Sequence, residues 1–171
     1  VPEDESSWLL QVVRNCGPTP VSMEVSALST MTAFVYGPGT ANQAGAVGLI
    51  EAGEQVTLMA VIKNGVPILL RKFEFGHAQI LERVGRQFSV ENDTAASILK
   101  DRSFDVSQPV HDAMEGMLRQ LAISKEFVER KAGAQVDNWF LSGGMALADY
   151  WREEIERIVG ADVSPSRPMA P

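Results

Sequence analysis

The sequence predicts an α/β fold in which a mixed β-sheet is flanked by helices. A nearly continuous apolar run over residues 46–50 is typical of a central strand that is buried on both faces. Two strand patterns, 55–63 and 66–75, flank the Asn-Gly pair at 64–65, which strongly favours a two-residue hairpin turn. Helical patterns accompany these strands, and the longest, at 109–131, repeats apolar residues at helical spacing.

The chain is predicted to begin with a helix that Ser6 or Ser7 caps and that a Gly-Pro pair ends. Cys16 lies near the end of its apolar side, so we expect this residue in the core. Weak alternation over residues 20–25 predicts a strand, and residues 27–36 carry a helical pattern. A Gly-rich loop follows.

Helical patterns dominate the middle of the chain after the hairpin. Residues 78–88 predict one helix, and Ser89 or Asn92 opens a second. Pro109 fits the first turn of the long helix, because a proline lacks the N–H that would be unpaired there. We therefore expect a largely helical segment between the hairpin and the last strand.

The turn at Ser142, Gly143 and Gly144 is the most informative motif. It separates a strand pattern at 136–141 from a helical pattern at 146–159. Adjacent glycines let the backbone approach a ligand, and the N–H groups at a helix start favour anions. The motif predicts a nucleotide site, in which a side chain at Gly143 would block the ligand and leave the fold largely intact. The alternative is a tight turn with no ligand.

Composition restricts the class of protein. A chain of 171 residues, with 45% apolar and 22% charged residues, suits an ordinary soluble domain with one core or two small lobes. The net charge of -7 argues against a nucleic-acid partner, because phosphate binding needs basic patches. The single cysteine excludes an internal disulfide, and no apolar run approaches the roughly 20 residues that span a bilayer. Since the chain begins without Met, we expect a piece of a longer protein.

Other candidate groups are interpreted as structural. His77 and His111 lack a second histidine at ligand spacing, so no metal site is predicted. The charged stretch 152–157 is typical of a solvated helix face, and Met114 and Met117 are expected in the core. No catalytic residue is assigned, since neither a Walker A pattern nor a nucleophile elbow is present.

The order of these elements resembles the second half of an actin-like ATPase-fold protein. The resemblance is closest to the PilM family of type IV pilus assembly proteins, relatives of the cell-division protein FtsA. Residues 51–65 resemble the family's second phosphate loop and hairpin, and 140–147 resemble its adenosine-binding turn. Residues 73–80 resemble its strand end, glycine and following helix, and 20–28 resemble the strand and helix that join its two lobes.

The resemblance implies an actin-like, ribonuclease H-like lobe. Residues 1–42 would end the first lobe and connect it to the second, which 43–171 would form, with a mostly helical subdomain inserted at 76–133. In the intact protein ATP or ADP with Mg²⁺ would bind, while we expect none bound to this fragment alone. The implied binding residues are Ser142, Gly143, Gly144, Gly53 and Glu51.

The second phosphate loop departs from the family's pattern of an Asp, any residue, a Gly, small or hydroxyl residues and a Thr. Glu51 stands at the acid position, where its carboxylate extends about 1.5 Å further than that of an Asp. A displacement of roughly 1 Å can cost ~100-fold in a catalytic site. Glu54 adds negative charge where phosphates would lie, and Val56 offers no hydroxyl. We therefore expect degenerate or weak nucleotide binding.

The implied function is that of a cytoplasmic scaffold, peripheral to the inner membrane, in type IV pilus or secretion-type assembly. Family members recruit a short cytoplasmic tail from a membrane-anchored partner, through a groove that belongs mainly to the first lobe. Self-association is a further possibility. The alternative is an active ATPase or kinase of the same superfold whose catalytic acid lies upstream, because one fold hosts many functions.

Overall fold

The computed structural model describes residues 3–17, 19–21, 23–37, 45–101 and 104–166. In chain order its elements are α1 (Glu3–Asn15), α2 (Ser26–Tyr36), β1 (Ala46–Ala52), β2 (Thr57–Lys63), β3 (Val66–Phe73), α3 (His77–Phe88), α4 (Asn92–Lys100), α5 (Ser107–Ala132), β4 (Val136–Ser142), α6 (Asp149–Val159) and β5 (Val163–Pro165). The predicted boundary between 1–42 and 43–171 lies outside the described residues.

The five strands form one mixed sheet in the order β3-β2-β1-β4-β5. β2 pairs antiparallel with β1 and β3, whereas β4 pairs parallel with β1 and β5. Asn64 and Gly65 both have positive φ, at 52° and 76°, as the tight hairpin turn requires. Residues 46–50 are buried throughout, because β1 lies in the middle of the sheet and is covered on both faces. The predicted α/β class is confirmed.

The core lies between α3, α5, α6 and the sheet face that carries Ile50, Met59 and Trp139. Met114 and Met117 are buried there, as expected. On the other face α2 packs on the sheet, with the rings of Phe34 and Phe140 5.0 Å apart between centroids. Both layers hold the carboxyl ends of β1 and β4 in place.

Three predictions near the start of the chain are wrong. α1 begins at Glu3 rather than after a serine cap, and none of its residues is buried. Cys16, which directly follows this helix, is exposed rather than in the core. Helix periodicity predicts an apolar side, but burial requires a partner surface, and the described part of the chain buries no residue of α1. The described residues of segment 20–25 form no strand, since the described strands pair only with one another.

The end of the chain also differs from the prediction. The last helix begins at Asp149, because the residues after the glycines form tight turns instead. The Ala146 N–H donates to the Gly143 carbonyl and the Ala148 N–H to the Met145 carbonyl, at 3.1 and 3.0 Å between nitrogen and oxygen. The unpredicted strand β5 pairs with β4, and three residues are too few to give a periodic signal.

Gly48 lets Trp139 pack against the sheet. A Cβ on Gly48 would lie 2.3 Å from ring carbon Cε3 of Trp139. We therefore expect Gly48→Ala to lower the free energy of unfolding by about 1–3 kcal/mol, measured by urea denaturation. Gly116→Ala is the matched control, because a Cβ there meets no atom within 4 Å and α5 should gain roughly 0.5–1 kcal/mol. Equal effects of the two changes would contradict this packing.

Candidate functional site

The carboxyl ends of β1 and β4 meet at one edge of the sheet. Glu51 and Ser142 are directly paired in the parallel register. Gly53 follows β1, while Gly143 and Gly144 follow β4. The structure thus brings all five predicted binding residues to one edge, the place where α/β sheets commonly bind ligands.

The two glycines of the turn have different roles. Gly143 has a φ of +90°, and a Cβ on it would lie 2.4 Å from the carbonyl oxygen of Ala52. The fold itself therefore needs this glycine, and the expectation that Gly143 tolerates a valine is wrong. Gly144 has no atom within 4 Å of its Cβ position and lines a cavity. A ligand in this cavity would therefore be affected by a side chain at Gly144 rather than at Gly143.

The backbone groups of the loop after β1 form hydrogen bonds within the loop and with the start of α3. The Gly53 N–H donates to the Val56 carbonyl at 3.1 Å. The carbonyls of Gly53 and Glu54 accept the N–H groups of His77 and Ala78, at 3.0 and 2.9 Å. These two donors open α3 and belong to the groups that a helix start leaves free for anions. The loop therefore occupies donors that a phosphate would otherwise use.

Glu51 lies within the strand, beside α2. Its side chain is half-buried and, with Thr30 and Met31 of α2 and Leu58 of β2, lines a small cavity. Glu54, by contrast, is exposed on the loop. Two carboxylates thus flank Gly53, and both repel a phosphate.

A cavity of about 720 Å³ opens between α4, the start of α5 and the residues after the Ser-Gly-Gly turn. This volume lies within the roughly 300–1,000 Å³ of small-molecule sites. Its polar rim carries Lys100, Asp101, Asp149 and Glu153. Its apolar walls are formed by Ala96, Leu99, Phe104, Val106, Met145 and Leu147. Apolar side chains from α4 and from the residues after the Ser-Gly-Gly turn thus line the same cavity, which suits a flat ring.

His77 and Tyr150 form one wall of this cavity. The His77 Nδ1 lies 3.2 Å from the Tyr150 hydroxyl, and the two rings stack at 6.3 Å between centroids. Burial lowers the pKa of His77 below its ordinary value, opposed by the charge of Glu54 and supported by that of Lys100. Burial also raises the pKa of Tyr150 to about 12, so this hydroxyl keeps its proton at neutral pH.

Sequence reasoning missed these two residues as parts of the site. His77 was interpreted as structural, although its place directly after Gly76, in a stretch that resembles the family, was a usable signal. Tyr150 gave no such signal, because 73 positions separate it from His77. Within the described ranges, no group of three or more His, Cys, Asp or Glu residues is placed to hold a metal ion.

The charged stretch 152–157 is not wholly a solvated face. Glu154 is buried and pairs with Arg157, and its Oε2 lies 2.9 Å from the His111 Nδ1 on α5. This contact joins α6 to α5, and neither residue lines the cavity. The pair between Arg152 and Asp149, at 2.7 Å, is half exposed and contributes little to stability.

Comparison with protein families identifies the chain. The model of the type IV pilus assembly protein PilM matches residues 11–169. The chain belongs to the PilM family. This match confirms the resemblance of the sequence, whereas no curated protein sequence is similar enough to count as a relative.

Solved structures similar to this PilM-family chain are actin-like. A chain of the PilM-PilN type IV pilus biogenesis complex superposes with a TM-score of 0.76 at 15% identity, covering 95% of this chain and 47% of that one. MreB5 of Spiroplasma citri bound to ADP gives 0.69 at 15% identity, over 98% of this chain and 62% of that one. The archaeal actin homologue Ta0583 gives 0.63 at 15% identity, over 88% and 52%. The actin-like fold is confirmed, and the chain spans about half the length of the PilM-complex chain.

No helix within the described residues is long and apolar enough to cross a bilayer.

Proposed function

We propose that this chain is the second lobe of an actin-like scaffold in a type IV pilus assembly machine, and that it binds nucleotide weakly without depending on hydrolysis. The observation that carries the proposal is the contrast at the edge of β1 and β4. A cavity that suits a nucleobase lies beside a loop whose donors are already used. The protein could therefore bind the base of a nucleotide without holding its phosphates in a geometry that allows hydrolysis.

The nucleoside part of ATP or ADP would occupy the cavity of about 720 Å³. Leu99 of α4 and Met145 after the Ser-Gly-Gly turn both line this cavity and would contact the base, and Gly144 would let it approach the backbone. The similar MreB5 structure contains ADP, which supports an adenine nucleotide as the ligand. Mg²⁺ would accompany the phosphates.

The phosphates would be held poorly. The Gly53 N–H and the first N–H groups of α3 already have carbonyl partners. Glu51 and Glu54 add negative charge next to Gly53, and charge repulsion weakens phosphate binding. We therefore infer that nucleotide stabilises the scaffold rather than driving it.

Partner binding belongs to the same proposal. The similar PilM structure is a complex with PilN. By analogy, the complete protein would bind a short cytoplasmic tail of a membrane-anchored assembly protein and so lie peripheral to the inner membrane. The resemblance to the family implies that the groove for the tail lies mainly in the first lobe, and this chain spans 47% of that PilM-complex chain. Self-association would be compatible with this arrangement.

Glu51→Ala tests whether hydrolysis matters. If Glu51 were catalytic, its removal would lower the ATPase rate by orders of magnitude. We expect instead that the variant of the complete protein keeps any ATPase rate within a few-fold of the wild type, a change in barrier below ~1 kcal/mol. Turnover with ATP and Mg²⁺ and pilus assembly in cells are the two measurements.

Glu74→Ala is the control for this test, since it removes an exposed carboxylate next to the same sheet. A loss of about 100-fold in turnover for Glu51→Ala alone, at unchanged stability, would establish Glu51 as catalytic. That result would favour the alternative function, an active ATPase or kinase, over the scaffold.

A further inference from the structure

We propose that His77 contacts the nucleotide phosphates as an imidazolium, so that nucleotide binding takes up a proton. The inference rests on the nucleotide binding proposed above and goes beyond it by assigning a residue and a charge state. Four features of the site carry it: the position of His77, the charges around the cavity, the contact with Tyr150, and the effect of burial.

The position of His77 joins the two halves of the site. It is the first residue of α3, and its backbone N–H donates to the Gly53 carbonyl at 3.0 Å. Its side chain lines the cavity that Gly144 and Met145 also line. His77 therefore lies where the phosphate loop meets the nucleobase cavity, which is the place of a bound phosphate chain.

The surrounding charges leave a phosphate in need of a cation. Lys100, at the end of α4, is the one lysine or arginine that lines the cavity among the described residues. Over the same described ranges, the other charged or titratable groups that act on His77 or line the cavity with it are Glu54 on the loop after β1, Asp101 after α4, and Asp149, Tyr150 and Glu153 on α6. Within the described part of the chain, Glu54 and Glu153 thus face the site beside a single lining lysine, while Asp149 is paired with Arg152. A protonated His77 would supply a second positive charge for a phosphate.

Tyr150 allows His77 to gain or lose a proton without losing its position. Neutral His77 accepts the Tyr150 hydroxyl at Nδ1, across 3.2 Å. When Nδ1 is protonated it donates to the same oxygen, and the hydroxyl proton turns to the Met145 sulfur, 3.7 Å away. The same contact therefore holds the ring in both charge states.

Burial determines the direction of the pH dependence. In the free protein, burial keeps the pKa of His77 below its ordinary value near 6.5. A phosphate next to the ring favours the imidazolium and raises this pKa. Because the bound state holds the proton more tightly, affinity increases as the pH falls through this range and decreases as it rises.

Calorimetric titration of the complete protein with ADP, at saturating Mg²⁺, tests the inference between about pH 5.5 and about pH 8. The phosphate of ADP itself titrates near pH 6, so the comparison must be between proteins. We expect affinity to weaken over this range about five- to tenfold more in the wild type than in His77→Gln, because only the wild type takes up this proton on binding. His111→Gln is the matched control and should follow the wild type.

Each outcome decides the inference. Equal pH slopes for the wild type and His77→Gln would overturn it and leave nucleotide binding intact. If the wild type binds ADP at no pH, the proposed function and the inference both fail. Should His77→Gln not fold, NMR titration of His77 in the wild type replaces it: a pKa that rises on adding ADP supports the contact, and an unchanged pKa refutes it.

Discussion

Gly143→Val is expected to lower the free energy of unfolding by about 2–5 kcal/mol, a large part of the stability of a typical domain. A φ of +90° penalises any residue with a Cβ, and this Cβ would lie 2.4 Å from the Ala52 carbonyl oxygen. Since that oxygen belongs to the backbone of β1, no rotamer change relieves the clash. Urea denaturation measures the effect.

Gly144→Val is the control, one residue further along the chain. A Cβ at Gly144 meets no atom within 4 Å, so the stability should stay within about 0.5 kcal/mol of the wild type. Similar losses for both variants would show that the turn, rather than the contact with Ala52, determines the need for glycine. The pair also shows why loss of nucleotide binding in Gly143→Val would not locate the ligand.

The sheet could be predicted because its signals are local. The apolar run of β1 and the Asn-Gly turn of the hairpin each depend on neighbouring residues alone. The repeat of α5 is long enough, at 26 residues, to be unambiguous. The Ser-Gly-Gly turn was likewise recognisable from a few adjacent positions.

Features that depend on tertiary contacts could not be predicted from the sequence. Cys16 directly follows the helix α1, and whether the apolar side of that helix is buried depends on a surface elsewhere. β5 exists because Val163 pairs with Trp139 of β4, not because of its own pattern. Residues 146–148 have helical propensity and yet form turns, since the chain must turn before α6.

The candidate site divides in the same way. Gly53 and Gly144 could be found because glycine motifs are short and contiguous. Tyr150 and Lys100 could not, because the cavity forms only when α4, α5 and α6 pack around the end of the sheet. The burial of Glu154 was equally unpredictable, because this charged helix position is buried only where His111 of α5 contacts it.

Ala96→Trp is expected to weaken ADP binding by the complete protein by about 30-fold or more, roughly 2 kcal/mol. Ala96 lies on α4 and lines the cavity of about 720 Å³. The indole would extend into the space proposed for the nucleobase, where filling an open cavity displaces a ligand without straining a packed core. Calorimetry with ADP and Mg²⁺ measures the affinity, and thermal denaturation monitors the fold.

Thr94→Trp provides the matched control, because Thr94 is exposed on the same helix and does not line the cavity. It adds an indole of equal size to α4 and should leave ADP affinity unchanged. If Ala96→Trp keeps wild-type affinity while it folds normally and the wild type binds, the nucleotide lies elsewhere. Loss of affinity in Ala96→Trp but not in Thr94→Trp would place the base between α4 and the Ser-Gly-Gly turn, because only that space is filled.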